Sequence, residues 1–174
     1  MYFIDEITSC RTALNTYGGI PNGKIHGFRA PFLNFTGNTL NILKKQGFTY
    51  DSSASATPND VYWPYTLDHG IANHYCGGST TSDLLGNIKI PGLWEIPMHA
   101  VPDATGIPQL MDVYMAGSPE DVSKWSTDAF NKHYNGGRQP FGIYIHPSQY
   151  TAYCFYLIYL YRTDLFLCIF ANRP

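Results

Sequence analysis

Two segments place an ionisable side chain directly after a short apolar run, where it could take part in chemistry. Arg29 follows residues 25–28, and His146 follows residues 141–145. Pro31 holds the residue before it in extended geometry, so the Arg29 guanidinium stays at the strand end, where its planar set of donors can orient a carboxylate. An imidazole titrates near neutrality, which suits His146 to general-acid catalysis. The pattern predicts both side chains at the mouth of a sheet or barrel.

Plainer roles and other chemistries remain open for these residues. Arg29 could be a surface side chain beside a turn, and a single His is often structural. The four cysteines have no C-x-x-C spacing, and no metal-ligand cluster precedes Arg29, so no metal site is predicted. A site built from His99, His133 and His146 stays an alternative. A serine hydrolase is not favoured, because the chain has no G-x-S-x-G segment.

The composition describes a folded domain with few charges. The chain has 174 residues, of which 44% are apolar and 14% charged, and its net charge is −2. This length suits one domain with a sizeable core. Without a cluster of Lys or Arg, nucleic acid and anionic membrane surfaces are poor partners. The 14 Tyr and three Trp could stack on sugar rings or simply fill the core.

Three helices and four short strands are predicted to position the candidate site residues. Helices are expected over residues 3–17, from about Phe35-Thr36 to Gly47, and over 119–135. The last has Ser118 as N-cap and an inward stripe of Val122, Trp125, Ala129, Phe130 and His133. Strands are expected at residues 25–28, 48–50, 93–98 and 141–145, and residues 54–92 read as a long loop. This alternation predicts an α/β fold with a parallel sheet or barrel.

The two ends of the chain differ from the rest. Residues 153–161 and 165–170 are apolar runs separated by Arg162 and Asp164, and each run is too short to span a bilayer. We interpret residues 151–174 as a tail foreign to the domain, such as translated intron or frameshifted sequence. A membrane anchor and a terminal helix are the alternatives. The first residues lack a basic region and an apolar core, so no signal peptide is predicted in the sequence as written.

Five segments in order resemble the polysaccharide deacetylases of the NodB-homology type, carbohydrate esterase family four. The likeness is greatest to the chitin-deacetylase-like proteins of fungi and arthropods. It rests on Gly-Phe-Arg-Ala-Pro-Phe-Leu at 27–33, Gly-Phe-Thr-Tyr-Asp-Ser-Ser at 47–53, Trp-Pro-Tyr-Thr-Leu-Asp at 63–68, Trp-Glu-Ile-Pro at 94–97 and Ile-Tyr-Ile-His at 143–146. The resemblance implies that residues 1–150 form the C-terminal part of the family's domain, an incomplete (β/α) barrel whose first strands are missing.

The resemblance also implies a role for each matching residue. Arg29 would orient the catalytic Asp, with Glu95 as its acidic partner, and we expect an Arg29–Glu95 ion pair. His146 would protonate the leaving amine, and the Phe32 N–H would help hold the oxyanion. The sugar groove and the pocket for the acetyl methyl would be formed by Trp63, Trp94, Ile143, Tyr144 and Ile145.

The reaction implied is hydrolysis of the N-acetyl groups of N-acetylglucosamine polymers, a non-peptide C–N bond cleavage that uses zinc or another divalent metal. The family's metal ligands lie in Thr-Phe-Asp-Asp and His-x-x-x-His motifs, which do not occur in these 174 residues. The chain alone is therefore expected to bind no metal cofactor and to be inactive. The alternative is a non-catalytic remnant that binds chitin. The family implies a secreted, extracellular or cell-wall location and chitin as partner, with a membrane partner not expected.

Overall fold

The computed structural model describes residues 3–60, 62–72, 87–110, 117–142 and 144. The chain forms two compact units. Of the described residues, those within 3–55 and 64–97 belong to the first unit, and those within 56–63 and 98–144 belong to the second. Helices and strands occur in both, which confirms the predicted mixture of α and β structure.

Two helices of the first unit begin and end where the sequence predicts. Helix α1 (Phe3–Thr16) carries acidic residues in its first turn, and helix α2 (Gly37–Lys45) carries Lys44 and Lys45 in its last. The Thr36 hydroxyl accepts a hydrogen bond from the Thr39 N–H, and the Thr39 hydroxyl accepts one from the Thr36 N–H, a reciprocal cap that starts α2. Gly47 follows α2 with φ 77°, the left-handed conformation that ends many helices.

A small, mostly parallel sheet lies at the centre of the first unit. Strands β1 (Gly27–Phe28), β2 (Tyr50–Asp51) and β5 (Trp94–Glu95) are parallel neighbours, and β4 (Tyr65–Thr66) pairs antiparallel with β5. Within the described residues the order is β1-β2-β5-β4. The parallel arrangement confirms the prediction. The interpretation of residues 54–92 as loop is wrong at β4, whose ladder partner lies about thirty residues further along the chain.

The core of the first unit packs the helices against this sheet. Arg11 of α1 lies 3.8 Å from the centre of the Phe48 ring and donates to the Gln46 carbonyl, which ties α1 to the residues after α2. The fully or almost fully buried apolar side chains are Ile7, Ala30, Phe35, Leu40, Leu43, Phe48, Ala54, Leu67, Ile90 and Leu93. This core fixes the strands whose ends carry the candidate site.

The second unit consists of a short hairpin, a further strand and one long helix. Strands β7 (Val101–Pro102) and β8 (Pro108–Gln109) pair antiparallel. They follow β6 (Met98–His99), and the Ala100 N–H after it donates to the carbonyl of Ala56, the last residue of β3 (Ser55–Ala56). Helix α3 (Pro119–Asn135) begins with a reciprocal cap between Ser118 and Asp121. The predicted bounds of this helix are confirmed.

Two details predicted for the second unit are wrong. The buried residues of α3 are Val122, Ser126, Ala129 and His133, whereas Trp125 and Phe130 of the predicted stripe are only half-buried. The strand predicted at 141–145 is not found at Phe141, Gly142 or Tyr144.

Other predictions lie partly or wholly outside the described residues. They concern Ile143, Ile145, His146 and the tail at 151–174, and they stay predictions. Across the ranges that the structure describes, no helix is both long and apolar enough to cross a bilayer.

Candidate active site in the first unit

The three parallel strands deliver their last residues to one edge of the sheet. Phe28, Asp51 and Glu95 are register partners across β1, β2 and β5, so the residues after them also lie side by side. Arg29 follows β1, and Ser52 follows β2. The carboxyl ends of parallel strands are where α/β proteins commonly place their ligands. This edge is therefore the candidate site.

Arg29 is held by the residue after β2. Its Nε donates to the Ser52 carbonyl at 2.7 Å, and its Nη2 donates to the Ser52 Oγ at 2.6 Å. The same hydroxyl donates to the Ile96 carbonyl at 2.7 Å. Ser52 therefore connects the strand ends of β1, β2 and β5 and fixes the direction of the half-buried guanidinium.

Asp51 organises the turn that follows β2. Its Oδ2 accepts from the Ser53 N–H at 2.8 Å, and its Oδ1 accepts from the Ser53 Oγ at 2.9 Å. The Ser53 hydroxyl in turn accepts from the Ala30 N–H at 2.9 Å. All three residues are almost fully buried. The Arg29-Ala30 segment is thus bound to the Asp-Ser-Ser turn through both its side chain and its backbone.

Glu95 is fully buried on the same face of the sheet as Asp51, its register partner. One oxygen, Oε1, accepts from the Ala54 N–H at 3.1 Å. The other, Oε2, is buried and makes no hydrogen bond of good geometry to any described residue. An ionised, unsatisfied carboxylate oxygen is costly in the interior, whereas a protonated one can donate toward Asp51.

The two carboxyl groups are expected to share a proton at neutral pH. Burial raises the pKa of Glu95 well above its usual value, and the neighbouring Asp51 carboxyl raises it further. Burial also raises the pKa of Asp51 to about 6. The hydrogen bonds from Ser53, the Glu95 carboxyl and the Arg29 charge each lower this pKa, but they do not offset the burial. Two adjacent buried carboxyls cannot both ionise cheaply, so the pair carries about one negative charge beside Arg29.

The expected ion pair between Arg29 and Glu95 stays a prediction. The Arg29 charge lowers the pKa of both Glu95 and Asp51, so the guanidinium acts on the carboxyl pair. Its hydrogen bonds described above go to Ser52, which the sequence prediction did not assign to the site.

Two aromatic side chains of the same segments are exposed to solvent, Trp94 in β5 and Phe32 in the single 3-10 turn Pro31–Leu33 that follows β1. Trp94 is 47% exposed, while Glu95 beside it is fully buried, as alternation along a strand requires. Phe32 is 85% exposed, and both Phe32 and Leu33 have φ near 55°. A left-handed residue other than Gly costs about 1–2 kcal/mol, and such strain is concentrated at functional sites.

The remaining predicted site residues belong to the second unit or lie outside the described residues. Trp63 belongs to the second unit and is 55% exposed. Tyr144, also in the second unit, is half-buried, and its hydroxyl lies against Gly142, where an added Cβ would be 2.3 Å away. His146, Ile143 and Ile145 lie outside the described residues. The roles assigned to all of these stay predictions.

A buried pair of imidazoles lies in the second unit. The His99 and His133 ring centres are 4.4 Å apart with the planes at 75°. Burial, followed by the nearby His133, lowers the pKa of His99 to about 4, although the Tyr62 backbone and Asp60 oppose this. Burial, followed by the Lys132 charge, lowers the pKa of His133. His146, the third member of the alternative site considered above, is not among the described residues.

The described residues do not fit the three-ligand metal site that the resemblance implies. Nowhere in the described part of the chain do three or more His, Cys, Asp or Glu side chains cluster as a metal site would require. Asp51 and Glu95 are fully buried, and three of their four oxygens accept hydrogen bonds from Ser53 or Ala54. These carboxyl groups therefore hydrogen-bond to the turn that follows β2.

Sequence reasoning missed the contribution of Asp51, Ser52 and Ser53. The available signal was three consecutive hydrogen-bonding residues directly after a predicted strand, the position at which Arg29 was recognised. The partners of Ser52 and Ser53 lie 23 residues away in Arg29 and Ala30, so their role depends on a pairing that local patterns do not reveal.

Comparison with known proteins supports the resemblance over most of the chain. No family model matches. Chitin deacetylase 8 of Bombyx mori is 30% identical over 152 residues, covering 82% of this chain and 38% of the relative. Chitin deacetylase 1 of Bombyx mori is 26% identical over 156 residues, which cover 82% of this chain and 28% of the relative. A peptidoglycan deacetylase-like protein of Gibberella zeae is 28% identical over 125 residues, which cover 64% of this chain and 34% of the relative.

These relatives confirm that the chain is similar to polysaccharide deacetylases, as its five segments predict. The chain spans only about a third of the length of each relative, with 38% the largest share.

Proposed function

We propose that this relative of the polysaccharide deacetylases forms part of a chitin or polysaccharide N-deacetylase, supplying one side of the sugar cleft. The finding that supports this best is the joining of Arg29, Ser52 and a buried carboxyl pair at the ends of three parallel strands. The exposed Trp94 of β5 and the exposed Phe32 in the turn after β1 provide apolar surface for a sugar ring.

The proposed chemistry is hydrolysis of an acetamido group. Water adds to the amide carbonyl, the oxyanion is stabilised, and the amine leaves with a proton. The Phe32 N–H would contribute to the oxyanion site, and His146 would supply the proton to the leaving nitrogen. Ile143, Tyr144 and Ile145 would shape the pocket for the methyl group.

Arg29 would orient an acidic side chain that acts on the water. The Asp51–Glu95 pair would balance the Arg29 charge, because one shared proton leaves a single negative charge beneath the guanidinium. Ser52 would keep the guanidinium pointing in one direction. None of these roles passes through a metal ion.

The proposed architecture is an incomplete (β/α) barrel. In the described residues, β1 is the outermost strand on its side of the four-stranded sheet, and its register runs parallel to β2. A further parallel strand could hydrogen-bond to this edge. An exposed strand edge invites pairing with other chains, so we expect the 174-residue chain to aggregate more readily than a closed barrel.

These 174 residues alone are proposed to be inactive, because they contain neither motif that holds the family's zinc or other divalent metal. The second candidate function is chitin binding without hydrolysis, and the exposure of Trp63 at 55% and Trp94 at 47% favours it. Under either function the partner is chitin or another N-acetylglucosamine polymer. A secreted or cell-wall location is proposed from the resemblance.

Acetate release and sugar binding together test this proposal. We expect the chain to release no acetate from N-acetylglucosamine oligomers, with or without added zinc, and to bind those oligomers weakly. Trp94→Ala should weaken binding. The matched control is Tyr17→Ala, which removes an 89% exposed aromatic side chain just after α1 in the same unit. Zinc-dependent turnover would contradict the inactive state, and equal binding by both variants would contradict the proposed groove.

A further inference from the structure

The imidazole pair of His99 and His133 lies outside the candidate active site and has no role in the proposed function. His99 ends β6, and His133 lies in the last turn of α3. Their side chains are only 5% and 4% exposed, and the rings meet edge to face. Two polar rings rarely occupy a protein interior without partners for their nitrogens.

Three of the four ring nitrogens have no hydrogen-bond partner of good geometry among the residues that the structure describes. Both nitrogens of His99 and the Nδ1 of His133 are buried and form no hydrogen bond of good geometry with any described residue. A neutral imidazole keeps one nitrogen lone pair free to accept a hydrogen bond or bind a metal. Each ring therefore has a buried nitrogen whose lone pair can bind a metal ion or a hydrogen-bond donor from outside the protein.

The surroundings of His99 suit an oriented ligand. The Tyr62 backbone and the Asp60 carboxylate lie close enough to favour the protonated ring. A metal-bound His usually directs its other N–H at a backbone carbonyl or a carboxylate, which sets the ring orientation. The Tyr62 backbone is therefore a suitable second partner for a His99 whose other nitrogen binds an ion, and the Asp60 charge favours a cation nearby.

A cavity in the second unit reaches His133. Its volume is about 510 Å³, and its lining includes Ala100, Pro102, Pro108, Ala129 and His133. One water occupies about 30 Å³ of liquid, so this space holds water molecules as well as an ion beside the ring. The cavity therefore offers water ligands on the His133 side of the imidazole pair.

The charged side chains at this cavity do not exclude a cation. Lys132 lines it, but its ammonium donates to the Pro58 carbonyl at 2.6 Å and to the Asn59 Oδ1 at 3.0 Å. Asp128 lines the same cavity and accepts from Lys124 at 2.6 Å. With Asp60 near His99, the acidic groups offset the lysine charge.

We propose that His99 and His133 together bind one divalent transition-metal ion of the Zn²⁺, Ni²⁺ or Cu²⁺ type, with water from the cavity completing its coordination. Imidazole nitrogen is a preferred ligand for these ions, unlike Mg²⁺ or Ca²⁺. The site is separate in composition from the deacetylase metal site that the resemblance implies, and its existence does not depend on the proposed function.

Metal titration of the chelator-treated chain tests the proposal. Calorimetry with Zn²⁺ and with Ni²⁺ at pH 7 should give one ion per chain. His99→Asn and His133→Asn should each lower the affinity by more than about tenfold, since even loss of an outer-shell partner typically costs 10–100-fold. The matched controls are His26→Asn and His69→Asn, which change exposed imidazoles and should bind as the wild type does.

Several outcomes would overturn the proposal. No saturable binding by the wild-type chain would do so, as would undiminished binding by the two variants or loss of binding in the controls. Circular dichroism establishes whether each variant is folded.

If a variant does not fold, a measurement on the wild-type chain still tests the proposed metal site. Paramagnetic Cu²⁺ should broaden the amide NMR signals of Ala100 and Ala129, which line the cavity, before that of Glu120 in the first turn of α3, at the opposite end of the helix from His133. Broadening centred elsewhere would refute the site.

Discussion

Replacing Glu95 by Gln should leave the protein at least as stable as the wild type at neutral pH. Gln has the shape of a protonated Glu. Its Oε1 can accept from the Ala54 N–H, as Glu95 Oε1 does at 3.1 Å, and its Nε2 can donate to Asp51. The substitution therefore keeps the hydrogen bond to Asp51 that the shared proton would make. It also leaves only Asp51 to ionise in the buried pair.

The magnitude follows from the pKa of Asp51, which burial raises from 3.8 to about 6. That shift of about two units corresponds to roughly 3 kcal/mol at about 1.4 kcal/mol per unit. A raised carboxyl pKa means that the folded state holds the proton longer than the unfolded state does. Its contribution to stability is thus full below about pH 4 and is lost as the pH rises through about 6. Glu95, whose pKa is also raised, extends this loss to higher pH.

Urea unfolding at pH 5, 6, 7 and 8, followed by Trp fluorescence, measures the effect. Asp51 should lower the wild-type free energy of unfolding by roughly 1.4 kcal/mol between pH 5 and pH 8, because pH 5 lies about one unit below its pKa of about 6. Glu95, whose pKa is also raised, adds a further loss that the Glu95→Gln substitution removes. The Glu95→Gln variant should fall less and should be the more stable protein at pH 8. Glu120→Gln, an exposed change in the first turn of α3, is the control and should follow the wild type.

A Glu95→Gln variant that is less stable than the wild type at pH 8 by more than about 1 kcal/mol, the typical net value of one hydrogen bond, would refute the shared proton. That result would mean that Glu95 is ionised in the folded protein. It would favour the direct ion pair with Arg29 expected from the sequence.

Three further substitutions test the hydrogen bonds and the surface described above. Ser53→Ala removes the hydroxyl partner of both Asp51 and the Ala30 N–H and should cost about 1–3 kcal/mol in urea unfolding, whereas the exposed Ser9→Ala should cost little. Ser118→Ala removes the cap of α3 and should cost about 1 kcal/mol, while Ser123→Ala within the helix should not destabilise it; equal effects would contradict the capping role. Phe32→Ala should weaken binding of N-acetylglucosamine oligomers without lowering thermal stability, because the ring is 85% exposed. Unchanged affinity would remove Phe32 from the proposed groove.

The sequence predicted the helices well because their signals are local. Ser118 and Pro119 mark the start of α3, and Gly47 adopts the left-handed conformation expected after α2. Each of these features acts within a few residues, so a pattern in one segment determines the outcome.

Features that depend on distant pairing were predicted less well. Strand β4 is stabilised by β5 and leaves no clear alternation in its own segment. The position of Arg29 at a strand end was recognised, but Ser52, which holds it, is specified only by the pairing of β1 with β2. The proton shared by Asp51 and Glu95 likewise depends on the register of two strands that are far apart in sequence.

The most direct test of the proposed cleft is a crystal structure of this chain with an N-acetylglucosamine tetramer. We expect a sugar ring stacked on Trp94, an acetamido group turned toward Arg29, and the Arg29–Ser52 hydrogen bonds retained. An oligomer bound on another surface, with Trp94 and the strand ends bare, would contradict the assignment of this edge as the site.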